Sequence, residues 1–177
     1  MRASTHHVVA APASYIAVAG AGTAAVPRDL ETAEEVGRLL AQSGAVLICG
    51  GLGGVMEAAC RGAGMAGGMT IGILPGTDRS ESNPWVQIAI ATGLGEARNS
   101  LVASSADALI AVGGEYGTLS EIALALKWSK PVIGIGTWHL TRDVTSRTDD
   151  PIKRALDARS AVTLAVAEIS QGHASED

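Results

Sequence analysis

A threonine and a glutamate follow a glycine-rich turn in the second half of the chain, at a spacing suited to binding an anion. Residues 113–121 read Gly-Gly-Glu-Tyr-Gly-Thr-Leu-Ser-Glu, between an apolar run of strand length and an apolar helical segment. A strand, a glycine turn and a helix start point bare backbone N–H groups and the positive end of the helix dipole at one spot. The pattern therefore predicts an anion site. The ligand-binding residues that it predicts are Gly113, Gly114, Gly117 and Thr118.

The pair Thr118 and Glu121 has a second interpretation, a capping box in which each side chain bonds the backbone N–H of the other residue. The helix would then begin at Thr118, and no ligand would be needed. Capping does not require three glycines in the five preceding residues, whereas glycine there lets the backbone approach a ligand closely. We favour the ligand site and keep the cap as the alternative.

Two earlier glycine-rich segments also follow apolar runs, at 20–22 and at 50–54. The first lacks, near the end of the next strand, the acidic residue that would bind the ribose of NAD. The second lacks the Lys-Ser/Thr ending of a Walker P-loop, and a tight strand-to-helix crossover is its alternative explanation. Together with the turn at 113 these segments could bind one phosphate. The ligand-binding residues that they add are Gly20, Gly22, Gly50, Gly51 and Gly54.

Arg98 and Asn99 lie at the start of a further predicted helix, after Gly93-Leu-Gly95. The planar guanidinium group can hold a phosphate or a carboxylate by two parallel hydrogen bonds. A solvated arginine that pairs with Glu96 is the alternative interpretation.

Buried strands and helices alternate along the chain and must position these residues. Apolar runs predict strands over 15–19, 45–49, 70–74, 86–91, 108–112 and 131–135, with a very short one near 152. Helical spacing predicts helices over 27–40, 55–64, 96–106, 118–130 and from 155 or 157 to 170. This order predicts an α/β fold, a Rossmann-like doubly wound parallel sheet flanked by helices. The glycine turns would then meet at the carboxyl ends of the strands.

Composition limits the remaining possibilities. A chain of 177 residues, 47% hydrophobic, has the size of a single domain, and we predict a disordered leader over 1–13, one nucleotide-binding domain over 14–172 and a tail over 173–177. The net charge of −5 without a dense Lys/Arg run argues against nucleic acid as a partner. No apolar run is long enough to span a membrane, so we expect a cytoplasmic protein.

Cysteine and histidine do not form a metal-binding pattern. We interpret Cys49 and Cys60 as buried free thiols of a reducing compartment. The four histidines are scattered without ligand spacing, so we predict no metal site.

Three segments resemble known motifs of one superfamily. Gly113-Gly114-x-x-Gly117-Thr118-x-x-Glu121 resembles the PGGxGTxxE signature of the lonely guy (LOG) family, cytokinin-activating phosphoribohydrolases once mislabelled lysine decarboxylases. The segment 50–57 resembles the companion GGGxxGLM element, and 93–99 resembles the segment that holds the functional arginine of the superfamily. The chain is similar also to a sister branch that includes the algal molybdenum cofactor carrier protein. The likeness runs from about residue 15 to residue 138.

The resemblance implies a protein that binds a nucleoside 5′-monophosphate and cleaves its N-glycosidic bond, releasing free base and ribose 5-phosphate. Arg98 and Glu121 would be the catalytic residues, with Glu121 stabilising the positive charge that develops at the anomeric carbon or activating a water. No cofactor would be required, and an AMP-like nucleotide or molybdopterin could be the bound ligand. A second acid must protonate the base. Glu57, Asp78 and Glu115 remain open for that role.

Pyridoxal phosphate chemistry is excluded on residue grounds. It needs a Schiff-base lysine, and the three lysines of the chain stand at none of the predicted crevice turns.

The alternative that the resemblance implies is a carrier that binds the molybdenum cofactor, whose pterin also ends in a phosphate, without reaction. Val112 replaces the proline of the hydrolases, and Asn99 stands where they often carry lysine. The segments 70–76 and 123–127 also look more like the carrier branch. In both cases the almost wholly apolar helix from 119 needs cover on all sides, so we expect a homodimer, with a tetramer as the larger alternative.

Overall fold

Parallel strands and flanking helices make up the part of the chain that the computed structural model describes, residues 14–141 and 150–174. Within it the strands are Tyr15–Gly20 (β1), Val46–Cys49 (β2), Thr70–Leu74 (β3), Ile88–Ala91 (β4), Ala108–Val112 (β5), Val132–Ile135 (β6) and Lys153–Arg154 (β7). The α-helices are Pro27–Gln42 (α1), Val55–Met65 (α2), Asn99–Ser105 (α3), Tyr116–Lys127 (α4) and Ala158–Ala174 (α5). Single turns of 3₁₀ helix lie at Arg79–Glu81 and Gly95–Arg98.

The seven strands form one sheet in the order β4-β3-β2-β1-β5-β6-β7, and every neighbouring pair is parallel. The order reverses at β1, which pairs with β2 on one side and with β5 on the other. Gly20 at the end of β1 lies opposite Val112 at the end of β5. In doubly wound sheets ligands bind outside the carboxyl ends of the strands at this switch point. The prediction of a Rossmann-like doubly wound fold is confirmed.

Alternate residues of the central strands face two separate apolar cores, because successive side chains of a strand point to opposite faces. Ile16 and Val18 pack with residues of α1, α2 and α5. Ala17 and Ala19 face the opposite side, where α3 and α4 pack. Helices α1, α2 and α4 follow β1, β2 and β5 directly, so their first turns lie along one edge of the sheet.

Helices α1 and α2 cross at backbone contact. A Cβ atom added at Gly37 would lie 1.9 Å from the carbonyl oxygen of Ala59, and one added at Gly62 would lie 1.9 Å from that of Glu34. Only glycine fits at either position. This crossing fixes α2, and with it the turn at 50–54, against the helix that follows β1.

The start of α4 differs from the prediction. The helix begins at Tyr116, with the extended Glu115 as its N-cap, so Thr118 is its third residue and not its first. Gly113 and Gly114 have φ values of +55° and +120°, which glycine adopts without strain. The chain turns at these two residues, so the helix can begin two residues before Thr118. The capping box between Thr118 and Glu121 is absent.

Other boundaries also move, and α4 ends at Lys127 rather than at residue 130. The predicted helix over 96–106 opens as a 3₁₀ turn and becomes α-helical only at Asn99. Strand β4 begins at Ile88, two residues later than predicted, because the N–H groups of Val86 and Gln87 donate to the Asn83 carbonyl and the Thr70 hydroxyl.

The predicted leader over 1–13 lies outside the described residues. Helix α5 continues to Ala174, past the predicted start of the tail at 173. Within the described residues, no helix has both the length and the apolar character needed to cross a membrane.

Candidate functional site

A cavity of about 330 Å³ opens at the carboxyl edge of the sheet, where the order of strands reverses. Its volume is typical of small-molecule sites, which span roughly 300–1,000 Å³. We call it the Arg98 cavity. Its lining consists of Gly20, Gly22, Leu52, Met56, Pro75, Glu96, Arg98, Asn99, Glu115, Gly117, Thr118 and Glu121.

The two residues predicted to be catalytic form a buried ion pair in this cavity. Arg98 Nη1 lies 3.2 Å from Glu121 Oε1, and the two side chains are 10% and 8% exposed. Nη1 also donates to Asn99 Oδ1 at 2.5 Å, and Asn99 Nδ2 donates to the Ser120 hydroxyl. Arg98 Nε is buried and has no hydrogen-bond partner among the described residues. The guanidinium group therefore keeps a free donor for a further acceptor.

Gly50 lies directly against this guanidinium group. A Cβ atom added there would come within 2.5 Å of Arg98 Nη2 and 2.7 Å of Cζ. The glycine at the end of β2 is thus needed to seat the arginine. This contact explains why Arg98 can lie buried at the sheet edge, although the sequence alone does not connect the two positions.

Burial raises the pKa of the Glu121 carboxyl from an ordinary value of 4.5 to about 7, since loss of hydration outweighs the attraction of the Arg98 guanidinium group. Near neutral pH this carboxyl can therefore accept or donate a proton. Such a shift, in a cavity and with a defined charge partner, is typical of functional sites.

Thr118 supplies an unpaired hydroxyl group to the same cavity. The residue is 2% exposed, and its Oγ1 has no hydrogen-bond partner among the described residues. A buried polar atom without a partner costs about 1–3 kcal/mol, and native structures contain few of them. Because Thr118 lines the cavity at the start of α4, a ligand atom is a candidate partner for Oγ1.

The predicted glycines fall into two groups. Gly20, Gly22 and Gly117 line the cavity, and a Cβ atom added at Gly22 or Gly117 would meet nothing within 4 Å. At Gly20 it would overlap the Val55 side chain, so this residue serves packing as well.

The remaining predicted glycines lie beside the cavity and are not part of its lining. Added Cβ atoms would meet Leu74 at Gly51, the carbonyl oxygen of Gly22 at Gly54, Asp29 at Gly113 and Thr118 at Gly114. The structure therefore explains each of them by a close contact that shapes the turns. Contact of these glycines with a ligand stays a prediction.

Of the three acids left open, only Glu115 lines the cavity. Asp78 instead accepts a hydrogen bond from the Ser80 backbone N–H, which lowers the pKa of its carboxyl. Glu96, which was considered only as a partner of Arg98, lines the cavity too.

The apolar wall of the cavity was not predicted as part of the site. It consists of Leu52, Met56 and Pro75. Leu52 and Met56 belong to the glycine-rich motif after β2, so the motif itself could have indicated that these two residues line the site.

Cys49 and Cys60 are both free and buried, as predicted, and their Sγ atoms lie 3.4 Å apart. The Gly51 N–H donates to Cys49 Sγ, and this hydrogen bond helps to hold the turn after β2 in place. Among residues 14–141 and 150–174, no cluster of three or more His, Cys, Asp or Glu side chains could hold a metal ion.

Comparison with known proteins identifies the family. Residues 13–165 match the model of the SLOG cluster4 family. An uncharacterized protein of Archaeoglobus fulgidus is 50% identical over 123 residues, which cover 68% of this chain and 78% of that protein.

Two solved structures have the same fold over nearly their whole length. The molybdenum cofactor binding protein from the phototrophic bacterium Rippkaea orientalis is 40% identical with a TM-score of 0.80, over 89% of this chain and 98% of that one. The molybdenum cofactor carrier protein from Chlamydomonas reinhardtii is 39% identical with a TM-score of 0.78, over 90% and 99%. The resemblance to the LOG superfamily is confirmed, and the protein belongs to the SLOG cluster4 family.

Proposed function

We propose that this protein binds the molybdenum cofactor through its terminal phosphate and carries it without chemical change. The observation that carries the proposal is the unpaired buried hydroxyl group of Thr118, a residue that lines the cavity at a glycine-rich helix start. Two proteins named for binding or carrying this cofactor share the fold at 39–40% identity, which supports the choice of ligand.

The phosphate group would occupy the end of the Arg98 cavity next to α4. There Gly117 offers open space, Thr118 offers its hydroxyl group, and the first turn of α4 offers free backbone N–H groups and a positive dipole. Arg98 Nε would supply a charged donor. A charge-assisted hydrogen bond of this kind is about twice as strong as a neutral one.

Glu121 would adjust the charge of the site. Its carboxylate neutralises Arg98 when the cavity holds no anion, and an incoming phosphate would raise its pKa further. Glu121 would then take up a proton as the ligand binds, which leaves the guanidinium charge to the phosphate.

Phosphoribohydrolase activity is the second candidate, and the Glu121 pKa of about 7 is the observation that favours it. In that reaction Glu121 would act at the anomeric carbon, and Glu96 or Glu115 would protonate the leaving base. The sequence motifs favoured this activity over the carrier. The carrier function is preferred because two proteins named for binding or carrying the cofactor match about nine-tenths of this chain.

Two substitutions at one position test the proposed phosphate contact. Thr118→Val keeps the shape of the side chain but removes the hydroxyl group, whereas Thr118→Ser keeps the hydroxyl group. Because Oγ1 makes no hydrogen bond within the described residues, Val should not destabilise the fold. We expect Val to weaken molybdopterin binding about tenfold in anaerobic titration calorimetry, and Ser to bind nearly as the wild type does.

Equal affinity of the Val and Ser variants would contradict the phosphate site at Thr118.

A panel of nucleoside 5′-monophosphates, including prenylated AMP, separates the two functions. Release of free base and ribose 5-phosphate that is lost in Glu121→Gln would replace the carrier with the hydrolase.

We also propose a homodimer in the cytoplasm. Ala123 on the outer side of α4 is exposed, and Trp128, the residue after α4, is 40% exposed. A second subunit would cover this apolar side. The two free buried thiols fit a reducing compartment.

A further inference from the structure

A second cavity of about 540 Å³ adjoins the Arg98 cavity at the start of α4. We call it the Tyr116 cavity. Glu96, Asn99 and Gly117 line both, so the two cavities share one wall. The full lining of the Tyr116 cavity is Glu96, Ala97, Asn99, Ser100, Tyr116, Gly117, Ser120 and Leu124.

Tyr116 is held in position although it is hardly buried. Tyr116 is 81% exposed, yet its ring packs against the ring of Trp138. The ring centroids lie 5.6 Å apart and the ring planes are tilted by 39°. Trp138 is itself fixed, because its Nε1–H donates to the Glu115 carbonyl oxygen at 3.3 Å. An exposed aromatic ring supported from behind offers a surface on which a flat ligand can stack.

The polar wall of this cavity consists mainly of hydrogen-bond acceptors. The hydroxyl groups of Ser100 and Ser120 donate to the carbonyl oxygens of Ala97 and Gly117. Each serine oxygen keeps a lone pair as an acceptor, although Ser120 Oγ already accepts one hydrogen bond from Asn99 Nδ2. Glu96 adds a carboxylate, which only accepts when ionised. Such a wall selects a ring that carries N–H donors and disfavours a second anionic group.

We infer that the Tyr116 cavity binds the amino-bearing heteroaromatic ring of the ligand whose phosphate occupies the Arg98 cavity, with Tyr116 as the stacking surface. This inference rests on the proposed function. Gly117 lies in the shared wall, and the open space at its Cα lets the ligand pass from one cavity to the other. Tyr116 therefore determines which phosphorylated ligand binds, while Thr118 and Arg98 determine that a phosphate binds.

Affinity measurements with two probes separate the ring site from the phosphate site. We would titrate molybdopterin and inorganic phosphate into the wild type, Tyr116→Ala and Tyr116→Phe. Leu156→Ala is a matched surface control, since Leu156 is 92% exposed and lines neither cavity. Loss of ring stacking should weaken molybdopterin binding about tenfold in Tyr116→Ala, while Phe binds as the wild type does. Phosphate affinity should be equal in all four proteins.

Three outcomes would overturn the inference. Tyr116→Ala with wild-type affinity for molybdopterin would exclude the stacking surface and leave the phosphate site standing. A change of sedimentation coefficient in Tyr116→Ala, with affinity per subunit unchanged, would make Tyr116 a subunit contact instead. No binding of either probe to the wild type would remove both the proposed function and the ring site.

Discussion

Arg98 and Glu121 are the residues on which the site depends, and their pairing shows both what the sequence could predict and what it could not. Each was selected from its place in a motif. Their direct contact was not predicted, because they lie 23 positions apart on different elements and sequence spacing gives no distance between elements. The contact decides the chemistry, since it places a carboxylate and a guanidinium group, each about nine-tenths buried, side by side in one cavity. A buried ion pair of this kind contributes little net stability, because desolvation offsets the attraction.

The stability of the protein should fall as pH rises from about 5 to about 7. The pKa of Glu121 is about 7 in the fold against 4.5 ordinarily, so the folded state binds more protons than the unfolded state in this window. The free energy of unfolding should therefore decrease by up to about 3 kcal/mol through this group. Urea unfolding of the wild type and of Glu121→Gln at pH 5, 6, 7 and 8 measures it. A pH dependence shared by both proteins would contradict the raised pKa.

Ligand binding should take up a proton at Glu121. A phosphate near the carboxylate raises its pKa further, so the affinity for molybdopterin should fall from pH 7 to pH 8. Titration calorimetry in buffers of different ionisation enthalpy counts the protons. The wild type should take up more than Glu121→Gln, which serves as the control because the ligand phosphate titrates equally with both. Equal proton uptake would show that no anion approaches Glu121.

The elements follow the sequence closely where hydrophobic pattern decides them. Strands β3 and β5 have the predicted bounds because continuous apolar runs end at turn residues. The pattern is less informative where polar contacts decide, as just before β4, where the N–H groups of Val86 and Gln87 form hydrogen bonds outside the sheet. It also fails to separate glycines that serve turns from those that serve packing. Gly37 and Gly62 lie inside helices and no role was predicted for them from the sequence, yet the α1–α2 crossing requires both.

Replacing Gly62 by alanine should destabilise the fold, since the added Cβ would lie 1.9 Å from the Glu34 carbonyl oxygen. Overpacking of this kind costs about 1–3 kcal/mol, and backbone atoms cannot move aside cheaply. Gly117→Ala is the matched control, because it is also helical and its Cβ would meet nothing within 4 Å. Urea midpoints should be lower for Gly62→Ala and unchanged or higher for Gly117→Ala. Equal midpoints would refute the close crossing.

At the scale of the whole molecule, the reversal of strand order at β1 assembles the site. It brings the turns after β1, β2 and β5 to one edge, so three motifs that are distant in the chain meet at one place. This convergence was predictable, because parallel strands and their order follow from alternating strands and helices. The Tyr116 cavity was not predictable, because it depends on the ring of Trp138, which is 22 residues away from Tyr116 in the chain.

We expect the protein to sediment as a homodimer. Ala123→Glu should shift it towards monomer, because a charge on the outer side of α4 would be buried in the interface. Thr163→Glu on α5 is the control, since Thr163 is also exposed but lies on the opposite face of the sheet. Sedimentation velocity of the three proteins at equal concentration checks this. A monomeric wild type, or a dimer that Ala123→Glu leaves intact, would contradict an interface on α4.

A crystal structure of the protein with bound molybdopterin tests the central claim most directly. We predict that a phosphate oxygen lies within about 3 Å of Thr118 Oγ1 and that another accepts a hydrogen bond from Arg98 Nε. Two of the buried side-chain atoms that lack partners in the described fold would then be paired. Phosphate bound elsewhere, with Thr118 Oγ1 and Arg98 Nε still unpaired, would contradict the proposed site.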